Sequence, residues 1–128
     1  MAIELKHVFR TPPERVWEVI GDPGRVDWVA GVESAVFDGE VRRFQMTGAG
    51  QLAEQILTLD GAQKLIEYSV VESTPALVAH RASMQVFLHD EGSELVWKTE
   101  VAPENVEPFI EAGMQGSIAG LHDVLGCE

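Results

Sequence analysis

The sequence predicts an α+β fold, in which a curved seven-stranded antiparallel sheet wraps around one long C-terminal helix. Residues 3–9 alternate between apolar and polar side chains, and residues 32–101 contain six apolar or alternating runs separated by turn signals. Residues 104–126 change to a helical period. Strands joined by short turns pair antiparallel, and a helix that follows them must bury its apolar face against the sheet.

The N-terminal region predicts one strand followed by two short helices. The strand is half-buried, and its inward face would carry Ile3, Leu5, His7 and Phe9. Thr11 and Glu14 have the spacing of a capping box, which predicts a first helix that ends at Gly21. Asp22-Pro23 predicts the start of a second short helix that runs through Trp28.

Six further strands are predicted in the middle of the chain. They lie near residues 32–37, 41–46, 51–59, 64–71, 77–89 and 94–101. The turn signals between them are Asp38-Gly39, Gly48 and Gly50, Asp60-Gly61, Ser73-Thr74-Pro75 and Asp90-Glu91-Gly92. An Asp-Gly pair between two such runs is a strong hairpin signal, so the sheet is expected to be mostly antiparallel.

The last 25 residues predict a helix of about 22 residues, or ~33 Å. Its apolar face would consist of Val106, Ile110, Met114, Ser117, Ile118, Leu121, Val124 and Leu125. Gly113, Gly116 and Gly120 lie beside that face, although a glycine inside a helix costs about 0.8–1 kcal/mol relative to alanine. The glycines are explained either by close packing of the helix against the sheet or by volume left for a ligand.

Composition predicts a single domain, residues 1–128, with enough apolar residues (45%) to form a core. The net charge of −12 and the scattered basic residues disfavour binding to nucleic acid or stable association with a membrane. The single cysteine, Cys127, excludes an internal disulfide, and its position near the end of the chain disfavours a catalytic thiol. Because no signal peptide or apolar membrane span is recognisable, a cytoplasmic location is expected.

Neither a metal nor a cofactor is expected from the sequence motifs. The four histidines lack the spacing of metal ligands, and no pair of cysteines is present. Gly48-Ala49-Gly50 lacks the remaining residues of a phosphate loop, and the nucleophile elbow of hydrolases is absent from the sequence.

The predicted sheet is wider than the predicted helix. Seven strands span roughly 34 Å, whereas one helix with its side chains is only ~10–12 Å across. The uncovered part of the concave face must therefore be filled by large side chains, by a partner chain or by a ligand.

Several segments resemble the START-like SRPBCC superfamily, in particular its small bacterial polyketide cyclase/dehydrase-like branch. T-P-P-E-R-V-W-E-V-I followed by G-D-P-G-R-V-D-W, within residues 8–34, resembles the opening of these proteins. Residues 53–61 and 66–70 are similar to their central hairpin, and residues 95–103 to their last strand. The resemblance covers essentially the whole chain. It implies a helix-grip fold with an internal cavity between the sheet and the long helix.

Strand alternation and this resemblance together define the candidate site. Alternation places Tyr68, His80 and Trp97 on apolar strand faces, whereas the parity of residues 51–59 is ambiguous. Ligand-binding members of the superfamily have an inward-pointing glutamate at the matching strand position, which implies the same for Glu54. The residues expected to contact a ligand are Phe44, Met46, Glu54, Ile56, Tyr68, His80, Ala82, Met84, Trp97, Ile110, Met114 and Ser117.

Each polar candidate also has a structural alternative. Glu54 is either a general acid or base or the partner of Arg42 or Arg43 in an ion pair. His80 is either a proton shuttle or a hydrogen-bonded core residue, and Tyr68 offers its hydroxyl either to a ligand or to the core. In the plant hormone receptors of the superfamily a tyrosine matches His80, so the resemblance implies ligand contact there and no specific role.

Three functions are compatible with these residues. The first is a carrier or sensor that binds a small hydrophobic or aromatic molecule, and it is favoured because no catalytic set is recognisable. The second is a cyclase, aromatase or dehydratase in which Glu54 and His80 move protons and Tyr68 polarises a carbonyl. The third is a protein-interaction module without a ligand. The sequence leaves the choice between binding and catalysis, and the oligomeric state, open.

Overall fold

Seven strands, two α-helices and one 3-10 turn are formed by the residues that the computed structural model describes, 2–47, 50–73 and 76–126. The strands are β1 (Ala2–Phe9), β2 (Val32–Phe37), β3 (Val41–Met46), β4 (Gly50–Asp60), β5 (Leu65–Glu72), β6 (Ala79–His89) and β7 (Gly92–Ala102). The helices are α1 (Pro13–Ile20) and α2 (Glu107–Leu125), and the 3-10 turn at Glu104–Val106 precedes α2. Cys127 and the turn signals at Gly48 and Thr74-Pro75 lie outside the described residues.

One antiparallel sheet contains all seven strands, in the order β1-β7-β6-β5-β4-β3-β2. Consecutive strands from β2 to β7 are neighbours, as their short turns predict, and β1 pairs with β7. The predicted α+β sheet with a C-terminal helix is therefore confirmed.

The apolar face predicted for the long helix is also confirmed. Met114, Ile118 and Leu121 are buried in the core, and Ile110, Val124 and Leu125 pack against it. The rest of the core comes mainly from α1 and from the inward-facing residues of β1, β5, β6 and β7. The helix-grip arrangement thus places α2 on one side of an apolar interior and the sheet on the other.

The second short helix predicted after Asp22 is not formed. Residues 21–31 contain turns and irregular backbone, with isolated hydrogen bonds from Arg25 N–H to the Asp22 carbonyl and from Val29 N–H to the Val26 carbonyl. The side chain of Asp22 accepts a hydrogen bond from the Gly24 N–H, which favours a turn over a helix. We call residues 22–31 the covering segment, because Trp28 is buried in the core.

The predicted capping box is likewise wrong. The N-cap of α1 is Pro12, and its cap has no side-chain hydrogen bond. Thr11 lies one residue earlier and is buried. Pro12 and Pro13 have no backbone N–H groups, so fewer donors at the start of α1 need a cap. Their rings also fix the backbone angles at which the chain enters α1, and a side-chain cap is not required.

A bulge reverses the predicted parity at the end of β4. Ile56 pairs with Tyr68, but Thr58 pairs with Glu67 because the register shifts between them. The Thr58 hydroxyl consequently donates a hydrogen bond to the Glu67 carboxylate, at 2.7 Å, on the outer face of the sheet. The alternation that places Glu54 and Ile56 inward therefore ends at residue 56.

The helix glycines differ in what surrounds them. A Cβ at Gly120 would lie 2.2 Å from the carbonyl oxygen of Trp28, and one at Gly116 would lie 3.0 Å from Ala30. A Cβ at Gly113 would meet nothing within 4 Å. Ser117 adds a hydrogen bond of 3.1 Å from the Ala30 N–H to its hydroxyl. Gly116 and Gly120 are thus explained by close packing, but against the covering segment rather than the sheet.

A pair of histidines joins β1 to the last turn of α2. The Nε2 atoms of His7 and His122 are 2.7 Å apart, so one ring donates and the other accepts a single hydrogen bond. The Phe9 ring lies 4.8 Å from both imidazoles. Burial, and to a smaller degree the neighbouring His122, lowers the pKa of His7.

The two glycine positions give a matched test of helix packing. Gly120→Ala is expected to lower the free energy of unfolding by roughly 1–3 kcal/mol, because the new methyl group would overlap the Trp28 carbonyl. Gly113→Ala, in open space on the same helix, should raise it by about 0.5–1 kcal/mol. Urea unfolding measures both. Equal effects at the two positions would contradict the close contact.

The histidine pair is expected to make stability depend on pH. The pKa of His7 is lower in the folded than in the unfolded chain, so its contribution is complete above about pH 6.5 and is lost as the pH falls toward the folded value. Tm should therefore fall less between about pH 7.5 and about pH 5.5 in His7→Gln than in the unsubstituted chain. His89→Gln is the control, and equal falls in all three proteins would overturn the prediction.

Candidate functional site

A buried ion pair lies on the inner face of β3 and β4. Arg42 and Glu54 are directly opposite each other in the sheet, and Arg42 Nε donates a hydrogen bond of 2.8 Å to Glu54 Oε1. Only 3% of the Arg42 side chain and 11% of the Glu54 side chain are exposed. Burial raises the pKa of the Glu54 carboxyl, and the Arg42 guanidinium opposes that rise. The inward orientation of Glu54 and its pairing with an arginine, stated above as alternatives, therefore occur together.

Aromatic rings surround the guanidinium. The central carbon of Arg42 lies 4.9 Å from the centre of the Tyr68 ring and 5.6 Å from that of Phe44. Contact between a guanidinium and ring faces favours the charged form electrostatically. The positive charge is thus held by one carboxylate and two aromatic rings within an apolar interior.

Tyr68 connects this pair to the centre of the core. Its hydroxyl oxygen accepts a hydrogen bond of 3.0 Å from Trp97 Nε1, and Trp97 contacts Trp28 edge to face, with 5.9 Å between ring centres. Burial raises the pKa of the Tyr68 phenol, so it stays protonated at neutral pH. Tyr68 therefore keeps an O–H hydrogen for which the described residues provide no acceptor.

His80 lies beside Tyr68, with 6.0 Å between the two rings. The N–H of Val70 donates to its Nδ1 at 3.0 Å, so Nδ1 carries no proton. Burial lowers the pKa of His80 to about 4, which leaves the ring neutral near pH 7. Nε2 therefore carries the ring proton, and these contacts fit a neutral, hydrogen-bonded ring better than a proton shuttle at neutral pH.

The remaining candidate residues are distributed around this network. Phe44, Ala82, Met84, Met114 and Ser117 are buried, and Met46, Ile56 and Ile110 are half-buried. Ser117 accepts from the Ala30 N–H, and Thr99 donates to the Met114 sulfur at 3.5 Å, so both hydroxyls serve internal contacts. The structure brings Glu54, Tyr68 and His80 into one region and places Ser117 against the covering segment.

Arg42 is the residue that sequence reasoning left outside the candidate site, although it was considered as a partner for Glu54. The signal was present, because Arg42 has the same strand parity as Phe44 and Met46, which were both placed inward. An arginine on a solvated strand face is the usual case, and Arg43, which is exposed and pairs with Asp38 at 3.4 Å, conforms to it.

Three surface depressions do not coincide with this interior. One lies on the outer face of β1, β7, β6 and β5, next to Glu67, Arg81 and Lys98. Another lies on the outer face of β2, β3 and β4, and the third lies between the covering segment and β2. The internal cavity implied by the resemblance is none of these three and stays a prediction.

Exposed apolar side chains gather where β5, β6 and β7 meet the start of α2. Val78 and Phe109 are each 81% exposed, and Val71 is 55% exposed. Val78 N–H donates to the carbonyl of Ala102, the last residue of β7, which places Val78 beside the approach to α2. We call Val71, Val78 and Phe109 the apolar rim. Glu54 pairs with Val70, and the two residues lie in the halves of β4 and β5 that are nearer to the apolar rim.

Within the described residues, no helix combines the length and apolar character needed to span a bilayer, and no cluster of three or more potential metal ligands is found.

Substitutions of Arg42 and Glu54 are expected to change the free energy of unfolding as substitutions of buried charges do. Glu54→Leu should lower the free energy of unfolding by about 3–5 kcal/mol, because Arg42 would be left charged and unpaired. Arg42→Met/Glu54→Leu, which removes both charges, should lie much closer to the unsubstituted chain. Urea unfolding of the single and double variants measures the difference.

The ion pair between Arg81 and Glu67 supplies the matched control. Its side chains are exposed at 58% and 25% and lie 3.3 Å apart, so Glu67→Leu, which also removes the acceptor of the Thr58 hydroxyl, should cost only about 1–2 kcal/mol. A cost for Glu54→Leu no larger than that for Glu67→Leu would contradict the assignment of Arg42 as a buried cation.

Comparison with known proteins agrees with this geometry. A family model described as polyketide cyclase/dehydrase and lipid transport matches residues 2–125. No curated protein matches the sequence. Solved structures match over nearly the whole chain, and at identities this low the likeness concerns the fold.

Three of these structures illustrate the likeness. XoxI from Bacillus cereus is 18% identical, has a TM-score of 0.84, and covers 98% of this chain and 94% of its own. An uncharacterized protein from Bacillus thuringiensis is 15% identical, with a TM-score of 0.85 and 98% of both chains covered. Ara h 8.0201 is 14% identical, with a TM-score of 0.78, covering 98% of this chain and 97% of its own.

The family match spans almost every described residue, and the solved structures share the arrangement of sheet and C-terminal helix. The expected membership of the START-like SRPBCC superfamily is thereby confirmed, and the chain belongs to the polyketide cyclase/dehydrase and lipid transport family.

Proposed function

We propose that this protein binds a small hydrophobic or aromatic molecule between its sheet and α2, as a carrier or sensor. The observation that carries the proposal is the polar group formed by Arg42, Glu54 and Tyr68 within apolar walls. A few convergent polar groups in an apolar enclosure are typical of small-molecule sites. The family description, which includes lipid transport, supports the same class of function.

Stability alone does not account for the charged pair. Replacing a buried ion pair by apolar residues of similar volume is often neutral or stabilising by about 1–4 kcal/mol. Arg42 and Glu54 occupy inward positions whose neighbours include Phe44 and Ile56, so apolar residues would suit these positions. A polar function for the pair, such as orienting a bound molecule, explains why the interior contains it.

The apolar rim is the entrance to this interior that the exposed side chains support best. Val71, Val78 and Phe109 expose apolar surface at the end of the sheet where β5, β6 and β7 approach α2. A hydrophobic molecule that leaves water would first meet apolar surface there, and Glu54 lies toward the same end. We infer that the ligand passes between the rim residues to reach the pair.

An enzyme of the cyclase or dehydratase type is the second candidate function. It is favoured by the proximity of Glu54, Tyr68 and His80 and by the family description. In that role Glu54, with its raised pKa, would move protons and the protonated Tyr68 would polarise a carbonyl. The neutral His80, whose Nδ1 is already bound, contributes less to such chemistry, which is why binding is the function proposed first.

Binding of a small aromatic hydrocarbon tests the proposal. The probe 2-ethylnaphthalene at ten times its dissociation constant should stabilise the chain by about 1.4 kcal/mol, measured as a rise in Tm. Ala82→Leu, which adds volume between Tyr68 and Thr99 on the inner face, should weaken binding at least tenfold. Ala79→Leu, on the exposed end of the same strand, is the control and should bind normally. No stabilisation of the unsubstituted chain by any of a panel of such hydrocarbons would overturn the proposal.

A further inference from the structure

The Arg42 guanidinium has more donors than partners. Its Nε is bound to Glu54, but its Nη1 is buried and none of the described residues accepts a hydrogen bond from it. A buried donor without an acceptor costs roughly 1–3 kcal/mol, and more when it belongs to a charged group. The unsatisfied nitrogen therefore needs a reason, and a bound acceptor supplies one.

Tyr68 contributes a second unused donor in the same place. Its ring lies under the guanidinium, at 4.9 Å, and its hydroxyl accepts from Trp97 while its own hydrogen has no acceptor among the described residues. Two donors of different residues are thus unused on the inner face, in a region that also contains Glu54 and His80 and is otherwise lined by apolar residues. The natural complement of two such donors is an oxygen with two lone pairs.

The charge of the pair limits what kind of oxygen fits. Glu54 already neutralises Arg42 at 2.8 Å, so the region has no net charge to balance. A second carboxylate next to Glu54 would be repelled in this poorly solvated region. A neutral carbonyl oxygen accepts from both donors without adding charge.

The pair is not completely enclosed. The Glu54 side chain keeps 11% of its surface exposed, whereas Arg42 keeps 3%. What contact the pair has with its surroundings is therefore made mainly through the carboxylate, which lies in the half of β4 nearer to the apolar rim.

We propose that the ligand has an apolar body and a neutral carbonyl oxygen, and that Arg42 Nη1 is the group that selects this oxygen, with the Tyr68 hydroxyl as a second donor. This inference rests on the proposed binding function and adds the chemical class of the ligand. Arg42 acts here as a specificity-determining residue rather than as a structural ion-pair partner alone.

A pair of probes of nearly equal shape tests the inference. Isothermal titration with 2-acetylnaphthalene and 2-ethylnaphthalene compares a ketone with its hydrocarbon counterpart. Hydrogen bonds to charged groups contribute about 1.5–3 kcal/mol, so the ketone should bind at least about tenfold more tightly. The anion 2-naphthoate should bind less tightly than the ketone, since it would lie next to Glu54.

Variants identify the residue responsible. In Arg42→Met/Glu54→Leu the preference for the ketone over the hydrocarbon should fall below about threefold. Arg42→Lys, which keeps the positive charge but has no second planar nitrogen, should also lose most of the preference and serves if the double variant fails to fold. Arg81→Met, on the outer face, is the control and should leave the preference unchanged.

The outcomes separate this inference from the proposed function. If neither naphthalene binds to the unsubstituted chain, the proposed function fails and this inference fails with it. If both bind equally, as expected where a water molecule satisfies Nη1, binding stands and the carbonyl selectivity is wrong. The selectivity is also wrong if naphthoate binds more tightly than the ketone, or if the preference survives in both the double variant and Arg42→Lys.

Discussion

The difference in width between the sheet and its one long helix determines most of this structure. Seven strands at ~4.8 Å spacing are about three times as wide as a helix with its side chains. The helix α2 reaches β1 through His7 and β7 through Thr99, so other groups must cover the strands farther along the sheet. The covering segment, α1 and the large inward side chains of β3 to β6 take this role.

The covering segment fills part of the concave face of the sheet that α2 is too narrow to cover. It has little regular structure of its own, and it is held by α2 through Gly120 against the Trp28 carbonyl and through Ser117 to Ala30. The segment brings Trp28 over Trp97, which in turn donates to Tyr68. A single chain of contacts thus links the C-terminal helix to the buried charged pair, and the interior polar groups lie where helix coverage ends.

The parts of the fold that were predictable from the sequence are those fixed by local signals. Turn residues such as Asp38-Gly39 and Asp60-Gly61 set strand limits, and the bounds of β2 and β3 agree with the predicted ranges. The predictions of a second helix and of a capping box are wrong. Asp22-Pro23-Gly24 is compatible with a turn as well as with a helix start, and Thr11-Pro12-Pro13 is compatible with a helix start that has no side-chain cap. Only tertiary contacts decide between these local structures. The candidate site depended on strand parity, which held for Glu54 and Ile56 and changed only beyond the bulge near Leu57. Arg42 followed the same parity as Phe44, but arginine is so often exposed that the pattern alone did not place it inside.

The pairing of β1 with β7 has a consequence for how the chain is made. Phe9 lies opposite Ser93, so the first strand has no partner until some 84 further residues have been synthesised. At a synthesis rate of ~5–20 residues per second, β1 has no partner strand for on the order of 10 s while the chain is still attached to the ribosome. Its apolar side chains are not buried during that time. During that time the strands from β2 onward can form hairpins, but the interior cannot close. Nascent chains of this protein are therefore exposed to chaperones and to aggregation for most of their synthesis, and the interior between the sheet and α2 can form only after the last strand and α2 have emerged.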